Sequence, residues 1–204
     1  KIEEESNYCS FKLQNAISSE LSKSKVTFNL EIILAEFFNK SSHIRTMYFH
    51  DYINELLKRY KIINTKNIDL LENYFYNKNI NIQIPFGLVH RDFKPWNTLI
   101  NDEFLIFDFE EAIVNGLPME DLLNFYVDPV IRYLPTSEVY NYMYSDEQIV
   151  KYQNYLTTIS CLLDYNLLIV SYLIERILFW TKENDLDTAL AYERLLNLSI
   201  LNEK

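Results

Sequence analysis

Apolar side chains recur at helical spacing along most of the chain and form extended runs only in short stretches. This periodicity predicts helices over 28–38, 44–60, 68–76, 119–126, 138–144, 145–163, 165–182 and 186–201. Met47 and Tyr48 are expected to face the core from the second of them. The acidic residues 1–6 predict a frayed segment, and the alternation over 8–17 predicts a short strand.

A small β-hairpin is predicted in the middle of the chain. Residues 86–89 form an extended run that enters a loop at His90, and Pro95 excludes a regular helix or central strand within that loop. Residues 98–100 and 104–107 are typical of two strands joined by a turn at 101–102. A tight hairpin of this kind brings Asn97 and Asp108 together at one end.

Three oxygen-bearing side chains around this hairpin carry the candidate chemistry. Asp92 and Asn97 lie in the loop, and Asp108 ends the second apolar strand, where an ionised side chain is costly unless it is paired or bound to a metal. Phosphoryl transfer from a nucleotide needs a carboxylate that orients the attacking hydroxyl and oxygen ligands that hold Mg²⁺ against the phosphates. This segment offers both.

Residues 90–97, with the sequence HRDFKPWN, resemble the catalytic loop H-R-D-x-x-x-x-N of the protein-kinase-like superfamily, and residues 106–110, IFDFE, resemble its metal-binding Asp motif. Glu110 stands where protein kinases have glycine, which is more similar to the aminoglycoside phosphotransferase and choline kinase branch. The enzymes of that branch phosphorylate small molecules.

The resemblance implies a role for each motif residue. Asp92 is the expected catalytic base, and Asn97 and Asp108 are the expected Mg²⁺ ligands. Lys94 is expected near the transferred phosphate of ATP or GTP, so that Lys94, Asn97 and Asp108 together bind the nucleotide and its metal. The implied function is a Mg²⁺-dependent phosphotransferase whose acceptor hydroxyl belongs to an amino sugar, an amino alcohol or a sugar.

Other residues are expected to support this site. By the same resemblance, His90 supports the loop and Asp121 braces it. Glu110 is expected on a solvated face. In the choline kinase branch, C-terminal helices supply an aromatic box for a quaternary ammonium, but core packing is the preferred interpretation of the aromatic residues found here, which are Tyr165, Tyr172, Phe179 and Trp180.

The implied fold class is α+β and mainly helical: a protein-kinase-like C-terminal lobe over 28–204, with a small β-hairpin carrying the catalytic loop. Residues 1–27 are too short for the small lobe and are predicted to be a remnant of its last strand and hinge. Before Asp92 there is neither a Gly-rich loop nor a strand with a phosphate-binding lysine. We therefore expect the small lobe to come from a missing N-terminal part of the protein, and this chain alone to show weak or no turnover.

Composition narrows the choice of partners. The formal net charge is −10, which opposes binding to nucleic acid or to an anionic membrane. The acidity is compatible with a cationic substrate, although ordinary solubility is the preferred interpretation. The two cysteines, Cys9 and Cys161, form neither a metal-ligand spacing nor a disulfide framework, and no apolar run approaches the roughly 18 residues of a membrane span. These features predict a cytoplasmic protein.

Two alternatives remain open from the sequence. Arg91 and Lys94 also fit a protein kinase, but Glu110, the short distance to Asp121 and the lack of an Ala-Pro-Glu sequence oppose it. A non-catalytic pseudokinase or binding module would explain the missing small lobe. The retention of Asp92, Asn97 and Asp108 opposes that alternative.

Overall fold

A computed structural model describes residues 2–5, 8–11, 29–40, 45–63, 67–78, 80–100 and 104–202. The helices of this part are α1 Leu30–Asn39, α2 Phe49–Ile63, α3 Ile68–Tyr76, α4 Glu120–Val127, α5 Thr136–Met143, α6 Asp146–Thr158, α7 Tyr165–Lys182 and α8 Leu186–Leu201. The strands are β1 Ile2–Glu5, β2 Tyr8–Phe11, β3 Arg45–Tyr48, β4 Gln83–Val89, β5 Thr98–Ile100, β6 Phe104–Ile106 and β7 Ile113–Gly116.

The strands form one three-stranded sheet and two hairpins, all of them antiparallel. β4 lies at the centre of the sheet between β3 and β7, with Arg45 opposite Phe86 and Gly87 opposite Gly116. β1 pairs with β2, and β5 pairs with β6. The described chain is therefore mainly helical with a small β component, in agreement with the predicted α+β class.

The helices bury one continuous apolar core, with α7 near its centre. α7 packs against α2, α4, α6 and α8, and its residues 167–174 are all buried. A helix that is apolar on every side is typical of such a central position. Among the described helices, none combines the length and the apolar character that crossing a membrane requires.

Local capping explains why the predicted bounds of α7 and α8 are correct. Asp164 precedes α7 and its carboxylate accepts a hydrogen bond from the Asn166 N–H at 2.8 Å. Asp185 does the same for α8, accepting from the Thr188 N–H at 3.1 Å. Such side chains satisfy N–H groups that a helix leaves unpaired in its first turn, so the signal is local and readable from the sequence.

The helix predicted over 44–60 is wrong at its beginning. Residues 45–48 form β3, and the exposed fractions of Met47 and Tyr48 are 45% and 46%, so neither faces the core. β3 exists because its backbone pairs with β4, far away in sequence. The pairing continues into the first turn of α2, where the Phe49 N–H donates to the Ile82 carbonyl at 2.8 Å. Periodicity within the segment carries no signal of this distant partner.

Other elements also differ from the predictions. Residues 2–5 form β1 rather than a frayed segment, β6 ends at Ile106 rather than at Phe107, and β7 was not predicted. α6 ends at Thr158 instead of continuing to 163 because Ser160 takes a left-handed backbone conformation, with φ of 55°. The Cys161 N–H then donates to the Leu156 carbonyl at 2.9 Å, which closes the helix in a Schellman motif. Residues 8–11 of the strand predicted over 8–17 form β2. Its residues 12–17 and the turn predicted at 101–102 lie outside the described residues.

We expect Gly116→Ala to destabilise the protein by about 1–3 kcal/mol, the typical cost of overpacking a dense interior. A Cβ at Gly116 would lie 2.6 Å from Val89 Cγ1 and closer still to Cγ2. The free energy of unfolding from urea denaturation measures the effect. Asn115→Ala on the same strand is the matched control, and equal stability of the two variants would contradict the proposed clash.

Candidate active site

The loop that follows β4 is anchored in the core by its aromatic and imidazole side chains. His90 and Phe93 are both fully buried. Their rings meet edge to face with centroids 5.9 Å apart, and His90 also packs against Phe109 at 4.5 Å. Burial lowers the pKa of the His90 imidazole. The ring is therefore a neutral packing element that joins the loop to the segment around residue 109.

Helix α4 fixes the backbone of this loop. The Asp121 carboxylate accepts hydrogen bonds from the N–H groups of His90 at 2.7 Å and Arg91 at 2.9 Å. The Asn124 amide donates to the Arg91 carbonyl at 2.7 Å and accepts from the Tyr172 hydroxyl at 3.0 Å. These bonds hold Arg91 in the left-handed region, with φ of 66°, where a non-glycine residue is uncommon. The turn at residue 91 is thus imposed by α4.

Three of the predicted site residues are in direct contact. The Lys94 ammonium donates to one oxygen of the Asp92 carboxylate. The Asn97 amide donates to the other oxygen and to the Asp92 carbonyl, at 2.9 Å each. Asn97 is buried, whereas Asp92 is only partly buried. The Asp92 carboxylate is therefore held in one orientation at the edge of the protein.

Asp108 follows the residue whose backbone pairs with Asn97 at the open end of the β5–β6 hairpin. The Phe107 N–H donates to the Asn97 carbonyl at 3.2 Å, and the Phe107 carbonyl accepts from His90 Nε2 at 2.8 Å. Residue 108 follows directly in a left-handed conformation, with φ of 69°. Asp108 is exposed, so the expectation that it carries a desolvation cost at the end of an apolar strand is wrong. The physical reason is that the strand ends two residues earlier.

The donor set at this end of the hairpin fits a hard divalent cation. Neither Asn97 Oδ1 nor the Asp108 carboxylate has a hydrogen-bond donor among the residues that the structure describes. No group of three or more His, Cys, Asp or Glu residues forms a metal cluster in that part of the chain. One amide and one carboxylate oxygen suit Mg²⁺, which typically keeps several waters and binds substrate phosphates.

The aromatic residues of α7 do not form an open box: Tyr172 packs in the core, as preferred from the sequence, whereas Tyr165, Phe179 and Trp180 are partly buried. Tyr172 is fully buried. The faces of Phe179 and Trp180 are covered by the guanidinium of Arg176, whose Cζ lies 4.7 Å and 5.2 Å from the two ring centroids. Tyr165 packs against Tyr152. The cations that lie over Phe179 and Trp180 are therefore side chains of the protein itself.

Sequence reasoning missed a polar stripe on and just after α4. Glu120, Asn124 and Asp128 are buried, and together with Asp121 they recur at helical spacing within an apolar segment. That recurrence was the available signal, because buried polar side chains in a core helix have specific partners. Here Glu120 and Asn124 contact Arg91, and Asp128 lies 3.8 Å from the Lys94 ammonium. These polar residues therefore stabilise the loop at Arg91 and Lys94 from the side of α4.

We expect Asp121→Asn to remove a pH-dependent part of the stability. Burial raises the pKa of Asp121 from 3.8 to about 7, against the opposing effect of its two N–H donors. Between pH 3.8 and about 7, the native state therefore keeps a proton on Asp121 that the unfolded state has lost. The free energy of unfolding of the wild type consequently falls as the pH rises through this range. Asparagine is neutral throughout and lacks this slope.

Urea denaturation at several pH values measures this difference. The free energy of unfolding of the wild type, relative to that of Asp121→Asn, should fall by several kcal/mol as the pH rises from 3.8 to about 7. The matched control is Asp69→Asn in the first turn of α3, where the carboxylate is exposed. A wild-type minus Asp121→Asn difference that does not change with pH would rule out the raised pKa.

The helical lobe, the short sheet and the anchored loop beside a hairpin agree with the protein-kinase-like lobe expected from the motifs, and the family model places the chain in that superfamily. Within it, the chain belongs to the phosphotransferase enzyme family APH, whose family model matches residues 40–146. The resemblance inferred from the motifs is thereby confirmed, and the chain is a kinase-type transferase. Searches of curated proteins and of solved structures find no match.

Proposed function

We propose that the protein transfers the terminal phosphoryl group of ATP or GTP to a hydroxyl of a small molecule, in a Mg²⁺-dependent reaction. The observation that carries this proposal is the orientation of Asp92 between Lys94 and Asn97, on a loop fixed by α4. Each oxygen of the Asp92 carboxylate has one donor and keeps acceptor capacity. An incoming hydroxyl can therefore donate its proton to Asp92.

The remaining residues have roles that follow from their charge. Lys94 holds the Asp92 carboxylate and places a positive charge beside the transferred phosphoryl group. Asn97 and Asp108 hold Mg²⁺, which when bound neutralises charge on the phosphate oxygens. The loop and hairpin are braced before substrate arrives, so little reorganisation is needed during transfer.

The segment after Asp108 favours a small-molecule acceptor over a protein. Residues 113–116 pair with β4, and α4 begins at Glu120. This leaves only a few residues free between the metal-ligand position and a fixed strand. An activation segment that docks a protein substrate has no room there.

A cavity of about 150 Å³ next to Lys94 is the proposed acceptor site. Its wall includes Trp96 and Tyr133, whose exposed fractions are 59% and 81%. Exposed aromatic faces of this kind suit the apolar face of a sugar ring, while the ring's polar edge stays accessible. Because Lys94 also contacts Asp92, a hydroxyl in this cavity lies near the proposed base.

The charges around this cavity favour a sugar or another polyol over an amine. Lys94 and Arg132 are the cations of its wall, and Asp128 is the acid. The Asp128 carboxylate is already bound by Arg176 and Tyr192. An acceptor ammonium group would therefore meet two cations and no carboxylate free to pair with it. This arrangement favours the interpretation that the net charge of −10 serves solubility rather than the binding of a cationic substrate.

The nucleotide needs a covering lobe in addition to these residues. Both glycines of the sequence lie in the β4–β7 pairing, so neither belongs to a phosphate-covering loop. We place that lobe outside the described residues. Because the reaction consumes a nucleoside triphosphate, we place the protein in the cytoplasm.

Transfer of labelled phosphate by the full-length protein tests the proposal. The protein is incubated with γ-labelled ATP or GTP, with and without Mg²⁺, and with panels of sugars, polyols, amino sugars and amino alcohols. We expect labelled product only with Mg²⁺. Asp108→Asn should raise the Mg²⁺ concentration that gives half-maximal rate, whereas Glu110→Gln, which changes an exposed carboxylate two residues away, should not.

The opposite results would each have a clear meaning. Nucleotide binding without transfer to any acceptor, including added protein, would favour the non-catalytic module. Transfer to protein but to no small molecule would favour a protein kinase. Equal Mg²⁺ requirements in the Asp108→Asn and Glu110→Gln variants would remove Asp108 from the metal site.

A further inference from the structure

A second, larger cavity of about 410 Å³ lies between the sheet and helices α2, α4 and α7. Three arginines and two glutamates line it: Arg45, Arg59, Arg91, Glu120 and Glu175. Arg91 directly precedes the proposed catalytic base, but neither Asp92 nor Lys94 belongs to the wall of this cavity. It is therefore separate from the proposed acceptor site.

The cations of this cavity are not fully compensated. Arg59 is bound by the Glu175 carboxylate, which also accepts from the Tyr52 hydroxyl at 3.1 Å. Arg91 makes a single contact with Glu120, through its Nε at 3.3 Å. The Arg45 guanidinium has no hydrogen-bond or ion-pair partner in the described part of the chain. Three guanidinium groups thus face two carboxylates, in a protein whose net charge is strongly negative.

The geometry of the donors suits an anion with two or more oxygens. A guanidinium presents a planar fork of N–H donors that matches carboxylate and phosphate groups. All N–H donors of the Arg45 guanidinium, and both terminal nitrogens of the Arg91 guanidinium, lack a partner among the described residues. An anion between these two arginines would complete hydrogen bonds that the protein leaves unmade.

Much of the remaining wall is apolar, although Tyr52 and Asn115 also belong to it. Met47, Phe86 and Leu117 line the cavity from β3, β4 and the segment before α4. The volume lies within the range of roughly 300–1,000 Å³ that is typical of small-molecule sites. The cavity thus combines a cationic end with an apolar wall, which fits a small organic acid better than a free inorganic ion.

We infer that this cavity binds a small molecule that carries a phosphate or carboxylate group on an apolar body. Its anionic group pairs with Arg45 and Arg91, and its body contacts Met47 and Phe86. Since the Arg91 backbone is bound to α4 and leads directly into Asp92, the site is an effector site for the proposed phosphotransferase. This regulatory part depends on the proposed function, whereas binding itself does not.

Isothermal titration of the full-length protein tests the site with two probes, phenyl phosphate and benzoate. Phenol, which lacks the anionic group, is the neutral control. The titrations are done without Mg²⁺ and repeated in the presence of ATP, which separates this cavity from the proposed nucleotide site. The probe that binds more tightly identifies which of the two anions the site prefers.

Arg45→Ala should weaken probe binding by roughly 10- to 100-fold, the usual effect of losing one hydrogen bond to a charged group. Met47→Glu should weaken it as well, because it adds a carboxylate to the wall without disturbing an ion pair. Lys61→Ala is the matched control, since it removes an exposed cation from α2 outside the cavity. Arg45 has no described partner to lose, so the melting temperature should stay unchanged.

Probe binding that persists with ATP and is weakened by Arg45→Ala and Met47→Glu, but not by Lys61→Ala, supports the anion site. The absence of binding, displacement of the probe by ATP, or equal affinity of the wild type and Arg45→Ala overturns it. Each of these results is independent of turnover. A failed transfer assay with intact probe binding would therefore count against the proposed function and not against this site.

Discussion

Asp92→Asn should lower kcat by roughly 10²- to 10⁴-fold, the usual contribution of a positioned general base. The substitution keeps the size and shape of the side chain but removes its ability to take a proton from the acceptor hydroxyl. Asn97 can still donate to the remaining carbonyl oxygen at position 92. Because Asn97 and Asp108 are unchanged, the KM for nucleotide should change little.

Steady-state kinetics of the full-length protein, with both substrates varied, measure this effect. Asp51→Asn is the matched control, because its carboxylate is exposed on α2 and contacts only His50 among the described residues. The melting temperatures of both variants should equal that of the wild type. Undiminished kcat in Asp92→Asn would show that another group accepts the proton.

The position of the site could be predicted because its signals are local. Residues 90–97 and 106–110 each place their polar side chains within a few residues of one another, and a short hairpin leaves few ways to arrange them. The contacts of Asp92 with Lys94 and Asn97 are made within five residues of sequence. Helices α7 and α8 were predictable for the same reason, since Asp164 and Asp185 cap them directly.

Only part of what supports the site could be predicted, because most of it depends on contacts distant in sequence. The resemblance predicted that Asp121 braces the loop, and its carboxylate accepts from the N–H groups of His90 and Arg91. The partner of Asn124, the Arg91 carbonyl about thirty residues earlier, cannot be read from the sequence. β3 likewise exists only through its pairing with β4. The exposure of Asp108 was missed because hydrophobicity cannot reveal that β6 ends at Ile106 and that the backbone then turns left-handed.

The buried carboxylate of Asp128 links the core to the site. It accepts hydrogen bonds from Arg176 Nη2 at 2.6 Å and from the Tyr192 hydroxyl, and it lies 3.8 Å from the Lys94 ammonium. Burial alone would lower the pKa of Arg176, but the charge of Asp128 raises it above its ordinary value. Arg176 therefore keeps its charge inside the protein, where the Asp128 carboxylate compensates it.

Arg176→Met should destabilise the protein by about 3–5 kcal/mol, because it leaves the Asp128 carboxylate buried without its cation. Arg132→Met is the matched control. Arg132 also lies over the Trp180 ring, at 4.8 Å, and also pairs with an aspartate, but that pair is exposed and should contribute less than about 1 kcal/mol. The free energy of unfolding from urea denaturation separates the two.

The double variant Asp128→Leu/Arg176→Met should recover most of the loss, since it removes both charges. If the double variant is no more stable than Arg176→Met alone, the cost comes from lost packing on Phe179 and Trp180 rather than from the stranded charge.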